Sequence, residues 1–112
     1  MHELIYSIGE RIGIPFHSAG VSKNSSVSGS VIWQIISDVP GENIGYGSSF
    51  SRVRVQFDIY SVLEREVFDI CERLEKEVMG LGIVLLRNGP FFNADTKLYR
   101  RTVDVSFFRK GK

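Results

Sequence analysis

Few side chains in this chain are of the kinds that do covalent or metal chemistry, and they are scattered. Cys71 is the only cysteine, so no disulfide closes within one copy and no thiolate cage for a metal can form. It stands on the apolar stripe of a helical segment with no histidine near it in sequence, the setting of a buried thiol rather than a nucleophile. His2 and His17 fall outside any i, i+4 ligand spacing, which argues against zinc. The run Pro40-Gly41-Glu42-Asn43-Ile44-Gly45-Tyr46-Gly47 invites a phosphate-loop reading. A phosphate cradle needs a helix N-terminus behind it and usually a lysine, and here a strand pattern follows. The loop therefore reads as a hairpin connection. The carboxylates between Glu64 and Glu77 alternate with bases around a wet helical face, which suits solubility better than acid/base catalysis. Asn24-Ser25-Ser26 has the form of a glycosylation acceptor, without meaning in a chain not read as secreted. No catalytic residue, cofactor site or metal site is expected, and the chain is not read as an enzyme.

Charge leads the same way. The 112 residues carry a formal net charge of +1, no global lure for nucleic acid or an anionic membrane. At 43% hydrophobic and 24% charged the composition is that of an ordinary folded domain. A chain of this length buries roughly 65% of its unfolded surface, so one domain over 1–112 is expected. The N-terminus lacks a basic flank and apolar core of the signal-peptide kind, and no apolar run approaches twenty residues. Synthesis in a cytoplasm, and neither export nor membrane insertion, is the expectation.

The elements come from periodicity. Arg52-Val53-Arg54-Val55-Gln56-Phe57-Asp58-Ile59-Tyr60 alternates strictly, so Val53, Val55, Phe57 and Ile59 face a core and the others face water. A second such run lies in Leu98 to Phe108. Ser30 to Val39 is apolar on both faces and pairs with the first run as a hairpin. His2 to Ile12 reads as a helix ended by Gly13, with Gly9 weakening its interior. Ser61 and Glu64 have capping-box spacing before a second helix. Its stripe is Leu63, Val67, Ile70, Cys71, Leu74 and Val78, and Asp69–Arg73 and Glu72–Lys76 are i, i+4 pairs. Ile83 to Leu86 is a short strand, and Asn88-Gly89-Pro90 a turn. Residues 17–29 and 40–49 read as flexible loops, and 109–112 as a frayed basic tail. The expected fold is α+β in the order α-β-β-α-β-β, a mainly antiparallel sheet with helices on one face.

Two surfaces stand out. Arg52, Arg54 and Arg100 could form a basic strip with Tyr60 as a stacking ring, although Asp58 and Asp104 share those faces and would consume charge by cross-strand pairing. The run lacks the glycines of the aromatic RNA-binding strand pattern, so nucleic acid is not the favoured partner. Phe91-Phe92, Phe107-Phe108 and the doubly apolar first strand are more than a small domain covers easily, and exposed apolar patches mark protein interfaces.

The run Val31-Ile32-Trp33-Gln34-Ile35-Ile36-Ser37-Asp38-Val39-Pro40, the glycine-rich loop, Arg54 to Tyr60 leading into the second helix, and the closing Leu98-Tyr99-Arg100-Arg101-Thr102-Val103-Asp104-Val105-Ser106-Phe107 together resemble the tail-completion proteins of long-tailed bacteriophages and prophages. The resemblance runs from the first helix to Phe108, residues 17–29 excepted. It implies a structural virion component that closes the head-proximal end of the tail tube and joins tail to head. Such a component is commonly a six-fold ring, made in the host cytoplasm and carried in the tail or neck. Its partners would be further copies of itself, the tail tube protein and head-connector proteins, and a free monomer is compatible with it. Another neck, connector or minor tail protein, or a small nucleic-acid-binding module, are the alternatives. The expected contact residues are Arg52, Arg54, Gln56 and Arg100 on the wet sheet face, with Glu42, Asn43 and Tyr46 in the loop. On this reading Arg54→Glu leaves the fold intact and weakens assembly.

Overall fold

The computed structural model describes residues 1–19, 28–39 and 50–110, apart from the side chains of residues 38, 39, 50, 51, 109 and 110. The elements are α1 (His2–Ile12), β1 (Phe16–Ser18), β2 (Ser30–Val39), β3 (Phe50–Ser61), α2 (Glu64–Val78), β4 (Gly82–Asn93) and β5 (Leu98–Lys110). They form a five-stranded sheet in the order β1-β2-β3-β5-β4. This corrects the expected fold class. The order is α-β-β-β-α-β-β, strand predominates over helix, and the sheet is mixed because β1 pairs parallel to β2. Three residues are too few to show a two-residue period, so Phe16-His17-Ser18 left no trace in the pattern. A parallel pairing needs a crossover between its strands, and most of the residues between Ser18 and Ser30 lie outside the described ones.

Alternation on β3 sorts the sheet into two faces. Val53, Val55, Phe57 and Ile59 are buried, with Val31 and Trp33 of β2 and Val103, Val105 and Phe107 of β5. Ile5 and Ile8 of α1 and Val67, Ile70, Leu74 and Val78 of α2 complete the same core. Phe57 anchors it, its ring edge-on to Phe16 and Phe107 at centroid separations of 6.0 and 6.3 Å, a favoured aromatic geometry. Trp33 takes the edges of His2 and Tyr6 from α1, at 5.0 and 5.8 Å. His2 is thereby a packing residue.

Both helices carry the expected stripes, but their ends differ. Gly13 closes α1 in the left-handed conformation at φ 71°, the usual C-terminal stop. Gly9 is a packing requirement as well as a weak point, for a Cβ there would stand 2.9 Å from the Phe16 ring. The capping box does not form. Leu63 is the N-cap of α2 and no side chain caps it. Ser61 instead ends β3, where its hydroxyl donates to Glu66 Oε1 at 2.8 Å and accepts from the Leu63 amide at 3.0 Å. Asp69–Arg73 and Glu72–Lys76 pair at 3.1 and 3.9 Å.

The C-terminal hairpin departs furthest from expectation. β4 runs on through Asn88-Gly89-Pro90, where the register with β5 shifts between Asn88 and Phe91. The supposed turn is thus a bulge within a strand. Gly89 has φ 93°, and a Cβ on it would meet the Arg100 carbonyl at 2.6 Å, so glycine marks the bulge. The reversal comes later, where Asn93 Oδ1 accepts from the amides of Asp95 and Thr96 at 2.8 and 3.4 Å, the side-chain-built turn that asparagine favours. Phe91 and Phe92 consequently lie on a strand. At the other end, Arg109 and Lys110 pair with Ser51 and Phe50, so they extend β5 where a frayed tail was expected. The 40–49 loop lies outside the described residues, as does most of the 17–29 loop; His17 and Ser18 belong to β1.

Candidate interaction surface

The sheet face away from the helices collects the wet side chains of β3 and β5. By register, Arg52 stands opposite Phe108, Arg54 opposite Ser106, Gln56 opposite Asp104, Asp58 opposite Thr102 and Tyr60 opposite Arg100. On β4, Ile83, Leu86, Asn88 and Phe91 continue these rows beside Ser106, Asp104, Thr102 and Arg100. Among the described residues neither helix crosses this face.

Its centre is polar and held by internal pairs, with Arg54 Nε and Asp104 Oδ1 left buried without a partner among the described residues. Arg54 Nη2 donates to Asp104 Oδ2 at 2.7 Å, with the Asp104 side chain only 10% exposed. Asp58 Oδ1 accepts from Thr102 Oγ1 at 2.6 Å and from Gln56 Nε2 at 3.5 Å. Two of the four expected sheet-face contact residues, Arg54 and Gln56, are therefore engaged within the domain, Arg54 as the counter-charge of a buried carboxylate. The expectation that Arg54→Glu spares the fold does not survive this geometry, since it would set two carboxylates side by side with one of them buried. Arg52 and Arg100 are exposed, and among the described residues neither has an ion-pair or hydrogen-bond partner. Arg100 is flanked in register by Tyr60 and Phe91 over a depression of about 400 Å³. Glu42, Asn43 and Tyr46 lie outside the described residues.

The rim of the face is apolar. Ile83, Leu86, Phe91 and Phe108 are each close to half exposed, and Leu85 and Phe92 beside them are as well. Phe107 and Phe108 divide as alternation demands, the first in the core and the second on this rim. The doubly apolar reading of β2 resolves through a bulge: its register with β3 shifts between Ile35 and Ser37, leaving Ile35 and Ile36 exposed.

On the opposite face, a groove of about 490 Å³ separates α2 from β4, bordered by Phe68, Cys71, Val78, Met79, Val84 and Arg101. Here a cysteine, a carboxylate and two arginines do converge, without the character of a reactive site. Cys71 Sγ donates to Glu75 Oε2 at 3.1 Å. Burial, and then the Glu75 carboxylate, push this thiol from 9.0 up to about 11, so it stays protonated and a poor nucleophile at neutral pH. Arg87 grips both oxygens of Glu75, with Nε at 2.8 Å from Oε2 and Nη2 on Oε1. That grip holds the Glu75 carboxyl below its ordinary value. Arg101 Nη1 donates to the Gly89 carbonyl at 2.7 Å, and its guanidinium lies 4.8 Å from the centroid of Phe68. Sequence reasoning missed Arg87 and Arg101. The alternation that put Arg100 on the wet face does put Arg101 on the helix side, and Cys71 and Glu75 are one helical turn apart.

Among the described residues no three His, Cys, Asp or Glu side chains gather as a metal site would require, and no helix is long and apolar enough to cross a membrane. No protein-family model matches the chain, and no curated protein matches it.

Proposed function

We propose that this protein is a structural assembly component that works through its sheet surface, and specifically a tail-completion protein of the long-tailed phage kind. It would close the head-proximal end of a tail tube as a ring of copies and join the tail to the head. The observation that carries the proposal is the sheet face that no helix among the described residues covers. A polar ladder, Arg54–Asp104 and Asp58–Thr102, stiffens its centre, while Ile83, Leu86, Phe91 and Phe108 leave apolar surface around it. Rigid strands with an apolar rim and two exposed guanidinium groups, Arg52 and Arg100, unpaired among the described residues, suit contact with other proteins. The resemblance of residues 31–40, 54–60 and 98–107 to the tail-completion pattern supplies the biological setting. A general nucleic-acid contact is less well supported, since Asp104 neutralises the middle arginine of the strip.

The test is complementation. Tails assembled without this component should bind the purified protein at their open ends and become able to join heads. Tails that neither bind it nor gain competence would overturn the reading.

A further inference from the structure

Arg100 stands at a depression of about 400 Å³ at the hairpin end of the sheet, a size at which ligand pockets are found. All of its lining residues lie among the described ones. Tyr60, Arg100 and Phe91 share one row across β3, β5 and β4, so the arginine is set between two aromatic residues on neighbouring strands. Buried Leu98 and the half-exposed Phe91 and Phe92 give the depression apolar walls. The turn borders it with Asn93 and Thr96. Asn93 Oδ1 accepts from the amides of Asp95 and Thr96, and the Lys97 amide donates to the Asn93 carbonyl at 2.7 Å. That side chain is pinned, and its Nδ2 group is left as a donor.

The chemistry of the lining selects a ligand. None of the lining residues is acidic, and the Arg100 guanidinium has no ion-pair partner among the described residues. An anion belongs there, with apolar groups beside it for the rings. The charge available suits one carboxylate. Exposed Asp95 and Lys97 in the turn offset each other, and Arg54 is held by Asp104. Arg52 is eight positions from Tyr60 along β3, about 26 Å of strand. Asp58 and Asp104 occupy the same face between them. A nucleic-acid backbone needs a run of cations and would meet those carboxylates instead. The rings on both sides of Arg100 favour a side-chain carboxylate over a chain end, since only the former has chain, and so apolar residues, on each side of it.

We infer that this depression receives an aspartate or glutamate side chain of a partner protein. Arg100 grips the carboxylate, Asn93 Nδ2 donates beside it, and Tyr60 and Phe91 take apolar residues two positions away on either side, which an extended segment shows on the same face as the acid. This deepens the proposed function by naming the chemistry of one contact, and it rests on that reading only for the partner being a tail or head protein.

The probe is a blocked pentapeptide with glutamate at its centre, phenylalanine at both ends and serine between, compared with its glutamine counterpart by NMR titration of the whole chain. The glutamate peptide should shift the amides of Phe91, Asn93, Thr96 and Arg100 and bind about tenfold or more tighter than the glutamine peptide. R100Q should bring the two peptides to equal affinity. N93D keeps an oxygen to hold the turn and sets a carboxylate against the ligand's, so it should weaken the glutamate peptide alone. Circular dichroism and thermal melting establish that each variant folds, and either one suffices where the other does not. Equal affinity of the wild-type chain for both peptides overturns the inference, as does the absence of shifts at millimolar peptide. So does tighter binding at the same amides of N-acetylphenylalanine, which would mean a chain end, or of inorganic phosphate or an oligothymidylate, which would mean a phosphate site. Incomplete tails separate the two claims: peptide selectivity without tail binding by the wild-type chain removes the proposed function and leaves the site, while tail binding by R100Q and N93D at wild-type levels removes this contact alone.

Discussion

The two faces of this sheet are made from alternate residues of the same strands and are finished in opposite ways. On one, Val53, Val55, Phe57 and Ile59 meet two helices in a layer whose few polar groups are the Trp33 indole, the Ser61 hydroxyl, the Cys71 thiol and the Arg101 guanidinium. On the other, Arg54, Gln56, Asp58, Thr102 and Asp104 pair with one another, and no helix among the described residues lies over them. Asp104 shows that a bare face is not the same as a solvated one, since flanking side chains leave it 7% exposed. Burial on this face is lateral, from strand to strand, and a charge held there depends on its neighbour almost as much as one in the core.

The largest effect should come from confusing the faces. Phe57→Asp places an unpaired carboxylate in the apolar core and should abolish the cooperative unfolding transition, at a cost above about 4 kcal/mol; a native-like melt would mean that the covered face is misassigned. Arg54→Glu should cost about 3 kcal/mol by stranding Asp104 next to a second carboxylate. Restoration of much of that loss in the double variant Arg54→Glu, Asp104→Arg, read in urea midpoints, would tie it to the pair. Cys71 offers a pH test of the helix side. Its thiol titrates near 11 in the folded chain against 9.0, so the unfolded chain releases the proton first. The stability it contributes is whole below about pH 9 and is lost as pH rises toward 11. The difference in unfolding midpoint between wild type and Cys71→Val should therefore change between about pH 8 and pH 10.5 and stay flat below that range. Arg100→Glu should be smallest in the isolated domain, within about 0.5 kcal/mol of wild type, and still reduce binding to tail tubes. A matching loss of stability would mean that Arg100, like Arg54, serves the fold.

What could be read from sequence follows the same division. Strict alternation revealed β3 residue by residue from Arg52 to Tyr60, because every inward side chain in that run is apolar and every outward one is not. The α2 stripe was as plain, Leu63 apart, which became the exposed N-cap. The remainder depended on partners distant in sequence. β1 exists because Phe16 packs on Gly9 and Phe57, contacts that a three-residue strand does not announce. Asn88-Gly89-Pro90 has turn composition, yet β5 holds it in a ladder and spends its glycine on a bulge. The contact residues were legible only as a strip whose charge Asp58 and Asp104 would partly consume; that Asp104 engages Arg54 in particular became visible only with the register of the strands.

Arg101 fastens the bulge of β4 to α2, one hand on the Gly89 carbonyl and the other spread over Phe68. It works as a rivet. A force drawing the outer strand aside must break a charge-assisted hydrogen bond and lift a cation from an aromatic ring at the same moment. Mechanical load arriving at that margin is thus passed to the helix layer through this side chain and through the Arg87–Glu75 pair beside it, and peeling the margin away disturbs the seat of α2.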